Sequence, residues 1–272
     1  MLFGYAIAVI TGFLLTAVRN WTGEPTPSGT PLMALAALWV CGRVLVLTPF
    51  GMAAAVVNTA FPVAVAVVMG GRVIPMFTNN GVPGAGATRH AWVEKSALGA
   101  VLLLFTADLL QWPRTVIAAI ALSGALVHGV RLALWKPWRT LAAPLVCILH
   151  AAYAWIVVHL ALRGLSVLDL LAESYAIHAL TTGAIGGLTL GMMTRTARGH
   201  SGRPLLADGF ELAMFVLIQI AAFVRVFGGM ASPALYLPGI QISGALWAAA
   251  FGLYAVRYWP VLTQPRLDGR PG

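Results

Sequence analysis

Charged side chains are what this sequence has least of: Asp, Glu, Lys and Arg make up 9% of its 272 residues, against about a quarter in soluble domains. With 60% apolar residues and a mean hydropathy of +0.86, that scarcity excludes an ordinary water-soluble fold and points to a membrane protein. Cysteine is scarce too. Cys41 and Cys147 are too few and too far apart for a disulfide framework or a cysteine cluster, and both read as small packing residues. No H-x-x-x-H or C-x-x-C occurs, which removes a zinc site built within one helix. Asp108, Asp169 and Glu173 stand at the ends of apolar runs, and no two acids are spaced as an acid and base couple, so a hydrolase has no support. The first apolar run, Leu2 to Val18, lacks a basic lead and an A-x-A cleavage site and reads as a spanning helix rather than a removable signal.

What the chain does have is a series of long apolar runs. They fall at 2–18, 31–47, 51–73, 92–110, 114–134, 141–162, 174–194, 210–227 and 236–257, each long enough to cross about 30 Å of hydrocarbon. Breakers separate them, among them Pro25, Pro27 and Pro31, Pro49 and Gly51, Pro83, Gly84 and Gly86, and Pro137. The net charge of +9 would suggest nucleic acid in a soluble protein. Here the basic residues sit in short connectors and at span ends, so anionic lipid is the partner and nucleic acid is not.

Those basic residues also orient the chain. Arg43, Arg114, Arg163 and Arg225 fall on one side, and the other thirteen of the 17, from Arg19 to Arg270, fall on the opposite side. Positive charge collects in the cytoplasm. The expectation is therefore an all-α, polytopic bundle of about nine spans, one integral membrane domain over 1–272, with its first residue periplasmic and its C-terminus cytoplasmic. Small residues at four-residue spacing supply the close helix contacts that lipid cannot drive: Gly4, Ala8 and Gly12; Gly183, Gly187 and Gly191; Gly244, Ala248 and Gly252.

The seventh run holds most of the candidate chemistry. Its glycine stripe has His178, Thr182, Thr189 and Met193 on roughly the opposite face. Of six histidines, His128, His150, His159 and His178 lie in spans, while His90 and His200 lie in connectors. An ionisable group inside a membrane is a functional hypothesis by default. His150 and His159 point to opposite faces of one helix and do not share a cavity. Met192 and Met193 are soft thioethers suited to Cu(I), or flexible packing at a helix end. Asn58 within the third run ties helices or lines a cavity, and Thr78, Asn79 and Asn80 form a polar connector. The turn Gly199-His200-Ser201-Gly202-Arg203-Pro204 offers an imidazole, a hydroxyl and a guanidinium together, or is simply a solvated cytoplasmic loop. His178 and His200 are 22 residues apart, about 33 Å along a continuous helix, so they belong to two sites.

The stretch HALTTGAIGGLTLGMMTRTARGHSGRPL resembles the signature of the NnrS family of bacterial membrane proteins. MLFGYAIAVITGFLLTAVRNWTG, GGRVIPMFTNN, CILHAAYAWI and RYWPVLTQPRLDGRPG agree with it along the whole chain. The resemblance implies an inner-membrane protein that binds haem and copper and is linked to nitric oxide tolerance in denitrification or nitrosative stress, with nitric oxide a ligand and no firm turnover reaction. It implicates His178, His200, His150 and His128, with Asn79 and Asn80 in the polar connector; His178, His200 and the thioether of Met193 are the candidates for metal. His159 and His90 fall outside its motifs. It also implies a further helix ahead of M-L-F-G, ending in a W-H-x-H-E-type run of possible metal ligands. That makes ten or more spans in a full-length member. Two other readings use the same residues: a transporter or channel for a small solute or metal, lined by the intramembrane histidines and Asn58, and a factor that inserts metal into a respiratory enzyme.

Overall fold

The computed structural model describes residues 51–267 and Gly269. The first two predicted runs, the Gly4–Ala8–Gly12 stripe and Cys41 lie outside the described residues. Every regular element among the described residues is helical: α1 (Gly51–Gly81), α2 (Ala91–Leu109), α3 (Arg114–Leu134), α4 (Pro144–Val167), α5 (Glu173–His178), a π-helical segment (Ala179–Ile185), α6 (Gly186–His200), α7 (Gly209–Ala231) and α8 (Tyr236–Thr263). Short 3₁₀ turns at Pro137–Thr140 and Pro233–Leu235 join α3 to α4 and α7 to α8. Among the described residues, 63–107 and 112–267 form one compact unit, while 51–62 and 108–111 belong to another. The former holds the packed core and the candidate site.

Among the described residues, five helices are long and apolar enough to cross a membrane: α3, α4, α7, α8, and the continuous rod Glu173–His200 made of α5, the π segment and α6. They coincide with the fifth to ninth predicted runs, and α1 and α2 cover the third and fourth. α2 carries Glu94, Lys95 and Asp108 in 19 residues and is not among the five. α1 runs eight residues beyond the predicted limit at Val73, so Thr78, Asn79 and Asn80 are helical rather than a connector. A staple holds that extension: the Asn79 side chain donates to the carbonyl of Ala87 at 3.0 Å and accepts from its N–H at 2.8 Å.

α4 is the hub, the most buried of the five spans, packed on α3 at one flank and on the Glu173–His200 rod at the other. The glycine stripe is what lets that rod approach. A Cβ at Gly183 would overlap the Trp155 ring, one at Gly187 would lie 2.8 Å from the Ala152 Cβ, and one at Gly191 would lie 2.9 Å from Leu149 Cδ2. The α8 stripe behaves differently. A Cβ at Gly244 or Gly252 meets no described atom within 4 Å, and Ala248 is exposed. The same spacing thus marks a helix contact on α6, but none among the described residues on α8.

These two stripes make an opposed pair of tests. Gly187→Ala must move the Ala152 backbone and is expected to cost roughly 1–3 kcal/mol. Gly244→Ala meets open space and is expected to stabilise by up to about 1 kcal/mol through helix propensity. Thermal unfolding of the detergent-solubilised protein reads both, and the same sign for the two would contradict this packing.

Candidate functional site

Among the spanning helices, Arg131 on α3 is the most deeply buried cation, 3% exposed. A lone guanidinium there would be costly, and each of its nitrogens has a partner. Nε donates to Glu94 Oε1 at 3.1 Å and Nη2 to Glu94 Oε2, a two-pronged pair. Nη1 donates to the Val67 carbonyl at 2.9 Å and to the Tyr153 hydroxyl at 2.8 Å. The chain of donors continues from there. Ala97 O can only accept, so His128 Nε2 donates to it at 3.2 Å, and His128 Nδ1 then accepts from the Tyr153 hydroxyl at 2.7 Å. Arg131 also lies 5.1 Å from the Trp135 ring centroid. One network thus ties α1, α2, α3 and α4.

His150, 2% exposed on α4, donates through Nδ1 to the Val146 carbonyl at 3.1 Å. Its Nε2 lies 3.2 Å from Thr78 Oγ1, whose single proton is also claimed by the Ile74 carbonyl at 2.8 Å. His159, 4% exposed, donates through Nδ1 to the carbonyl of Ala176 on α5 at 2.8 Å. No described residue partners its Nε2. That is the arrangement of a ligating imidazole, one nitrogen fixed by a backbone carbonyl and the other left as a lone pair. Sequence motifs pass over His159, because the carbonyl that orients it comes from another helix.

At the end where α5 begins, the partly buried His178 accepts at Nε2 from Arg225 Nη2 of α7, 2.6 Å away. Beside them a groove of about 250 Å³ is lined by Thr182, Arg225, Ile240, Ser243, Gly244 and Trp247. Thr182 belongs to the π-helical segment, a local widening often found at functional sites.

The other candidates do not join these groups. His200 is exposed at the far end of α6, and the unbroken rod keeps it remote from His178. Ser201 turns inward to donate to the Arg198 carbonyl at 3.1 Å, so the turn does not present its imidazole and hydroxyl together. Thr189, Met193 and Asn80 are exposed. The Asn58 side chain lies outside the described residues. Among the described residues no three His, Cys, Asp or Glu side chains gather where they could hold a metal ion.

The end of the bundle that holds His200 carries paired charge instead. Glu211, fully buried on α7, accepts from Arg198 at 2.7 Å, from the Tyr258 hydroxyl at 2.6 Å and from the Asp208 N–H at 2.9 Å. Asp208 caps α7 through the Phe210 N–H. Glu211 first, then that N–H and Arg257, hold the Asp208 carboxyl well below the usual carboxylate range, at about 2.

A sequence model described as NnrS protein matches the chain over residues 1–70 and 63–266. No curated protein and no solved structure gives a significant match.

The paired charges can be tested at two places. Glu94→Ala strands Arg131 in the interior and is expected to destabilise by about 3–5 kcal/mol, whereas Arg131→Met in the Glu94→Gln background removes both charges and should recover much of that loss in thermal unfolding. Asp208→Ala removes the α7 cap, at a cost of about 1 kcal/mol at neutral pH. Because the folded-state pKa is depressed, that contribution is present above the unfolded value of about 3.9 and disappears as pH falls towards 2. Wild type and variant stabilities should converge over that range.

Proposed function

Because the chain belongs to the NnrS family, and is with that a nitric-oxide-related membrane protein, we propose that it binds haem and that His159 is the imidazole that holds it. The observation carrying this reading is the His159 Nε2 lone pair, which no described residue partners, beside a nitrogen already committed to Ala176. One or two such imidazoles would suffice to hold a haem iron. The other intramembrane histidines are engaged: His128 at both nitrogens, His150 with Val146 and Thr78, His178 with Arg225.

Haem iron supplies a centre that binds nitric oxide directly. The residues' part is to hold and shield it. The Ala176 carbonyl fixes the His159 tautomer and ring plane, and α4 and α5 keep water from the imidazole. A small apolar gas reaches such a depth through the lipid. Copper is a different matter. The described residues bring together no ligand set for it, since His178 and His200 lie at opposite ends of one rod and Met193 is exposed, so no step is derived through copper.

The test is an absorption spectrum of the purified protein made with adequate haem supply, before and after addition of nitric oxide. A Soret band that shifts with nitric oxide is expected. His159→Ala is expected to lose most of that band, while His128→Ala and His178→Ala retain it. A Soret band unchanged in His159→Ala would overturn the assignment, and no band in the wild type would overturn haem binding altogether.

A further inference from the structure

We propose that the groove between the π-helical segment, α7 and α8 is a binding site for a small monovalent oxoanion, of the class of nitrite, nitrate and formate. This site is separate from the haem reading and stands without it.

The groups lining the groove are donors. Arg225 offers N–H donors and no acceptor, and Trp247 offers an indole N–H. Thr182 and Ser243 add hydroxyls, and Ile240 and Gly244 complete the wall. No carboxylate lines it. Ser243 is 2% exposed, yet its hydroxyl makes no hydrogen bond with any described residue, and neither does that of Thr182. A Thr or Ser within a helix ordinarily bonds back to a carbonyl one turn earlier, as Thr181 does to Ile177 and Thr194 does to Leu190. These two do not, and both face the same space.

Arg225 is the second observation. The other arginines near this end are paired with acids, Arg114 with Asp169 and Arg163 with Glu173. Arg225 has no carboxylate partner among the described residues. One of its nitrogens is taken by neutral His178, which serves as a positioning residue, and Nε and Nη1 remain. A planar guanidinium fork matches the two oxygens of an oxoanion. A cation, two hydroxyls and an indole N–H lining one groove without a carboxylate form a complement to negative charge.

Size and depth agree. About 250 Å³ is below the range of sites for drug-sized ligands but holds an ion of three or four heavy atoms with several waters, at roughly 30 Å³ each. Arg225 lies six residues before the end of α7 and Ser243 seven after the start of α8, about 9–11 Å along each axis. Tyr175 of α5 closes the same end, its hydroxyl 3.2 Å from where a Gly229 Cβ would lie. The site is therefore within reach of the aqueous boundary rather than at mid-membrane.

The experiment is isothermal titration of the purified protein in detergent with sodium nitrite, sodium nitrate, sodium formate and sodium chloride at fixed ionic strength. Saturable one-to-one binding of the oxoanions is expected, with chloride at least tenfold weaker. Arg225→Gln is expected to weaken binding at least tenfold. Gly244→Leu, which fills the groove from a position where a side chain meets nothing, is expected to abolish it while the protein stays folded. His159→Ala should bind as wild type does, so this site and the haem reading fail separately. No saturable binding, chloride binding equal to nitrite, or unchanged binding in folded Gly244→Leu would each overturn the proposal. So would an absence of nitrite binding together with anionic phospholipid recovered by mass spectrometry in an Arg225-dependent amount.

Discussion

A guanidinium cannot be left unaccompanied among packed spanning helices, and much of this bundle is arranged around the one at Arg131. Its donors reach three other helices: the Val67 carbonyl of α1, Glu94 of α2 and Tyr153 of α4. Because Tyr153 is pinned, so is His128. The room for the charge comes from glycine. A Cβ at Gly71 would overlap the guanidinium, and one at Gly70 would lie 3.2 Å from the Tyr153 ring. Removal of either charge alone leaves an uncompensated ion, so the pair constrains structure more strongly than its net stabilisation would suggest. The register of α1 against α3 and α4 is set by the Val67 carbonyl that Arg131 donates to and by two small residues.

The rod Glu173–His200 obeys a second constraint, close approach to α4 along its glycine stripe. Satisfying that on one face determines what the other face can present. The π-helical segment begins directly after His178 and contains Thr182, so the one-residue widening rotates α6 relative to α5. Gly183, Gly187 and Gly191 still fall on α4, while Thr182 reaches the groove shared with α7 and α8. A regular helix through the same sequence would be expected to return the Thr182 hydroxyl to the carbonyl of residue 178. Thr182 makes no such bond with any described residue, although Thr181 beside it bonds back to Ile177.

The spans are legible in the sequence because their signal is local: apolar length, breakers at the ends and the basic residues between them. The glycine stripe of the seventh run is legible for the same reason, though α8 carries an equal stripe that packs against no described residue, so spacing alone does not tell contact from open surface. α1 outruns its predicted end because Asn79 has a partner in Ala87 that hydropathy does not see. In the sequence Arg131 is only a topological charge, although Gly70-Gly71 and a lone acid at the start of the fourth run are hints of a buried pair. Motifs pick out His200, which is exposed at the end of α6, and pass over His159, which is buried on α4. What separates them is not residue type but the Ala176 carbonyl on another helix, which no motif encodes. The His178–Arg225 pair spans 47 residues and two helices, and is likewise invisible to local pattern.

Charge pairing finally explains why the two remaining interior cations differ in kind. Arg195 and Arg225 both stand within spans with no carboxylate among the described residues. Arg195 lies 4.0 Å above the Phe77 ring and is 8% exposed. The ring face offers a weak but closed solution, in which a desolvated cation is met by a quadrupole and nothing is left for a ligand. Arg225 meets the lone pair of a neutral imidazole on one side and an open groove on the other. An imidazole lone pair satisfies a donor without neutralising a charge, so the field of Arg225 remains directed into a space whose other polar groups all have a proton to give. The same physical demand, that no cation stay unanswered in a low-dielectric bundle, closes one position by packing and leaves the other to be answered by an anion from solution.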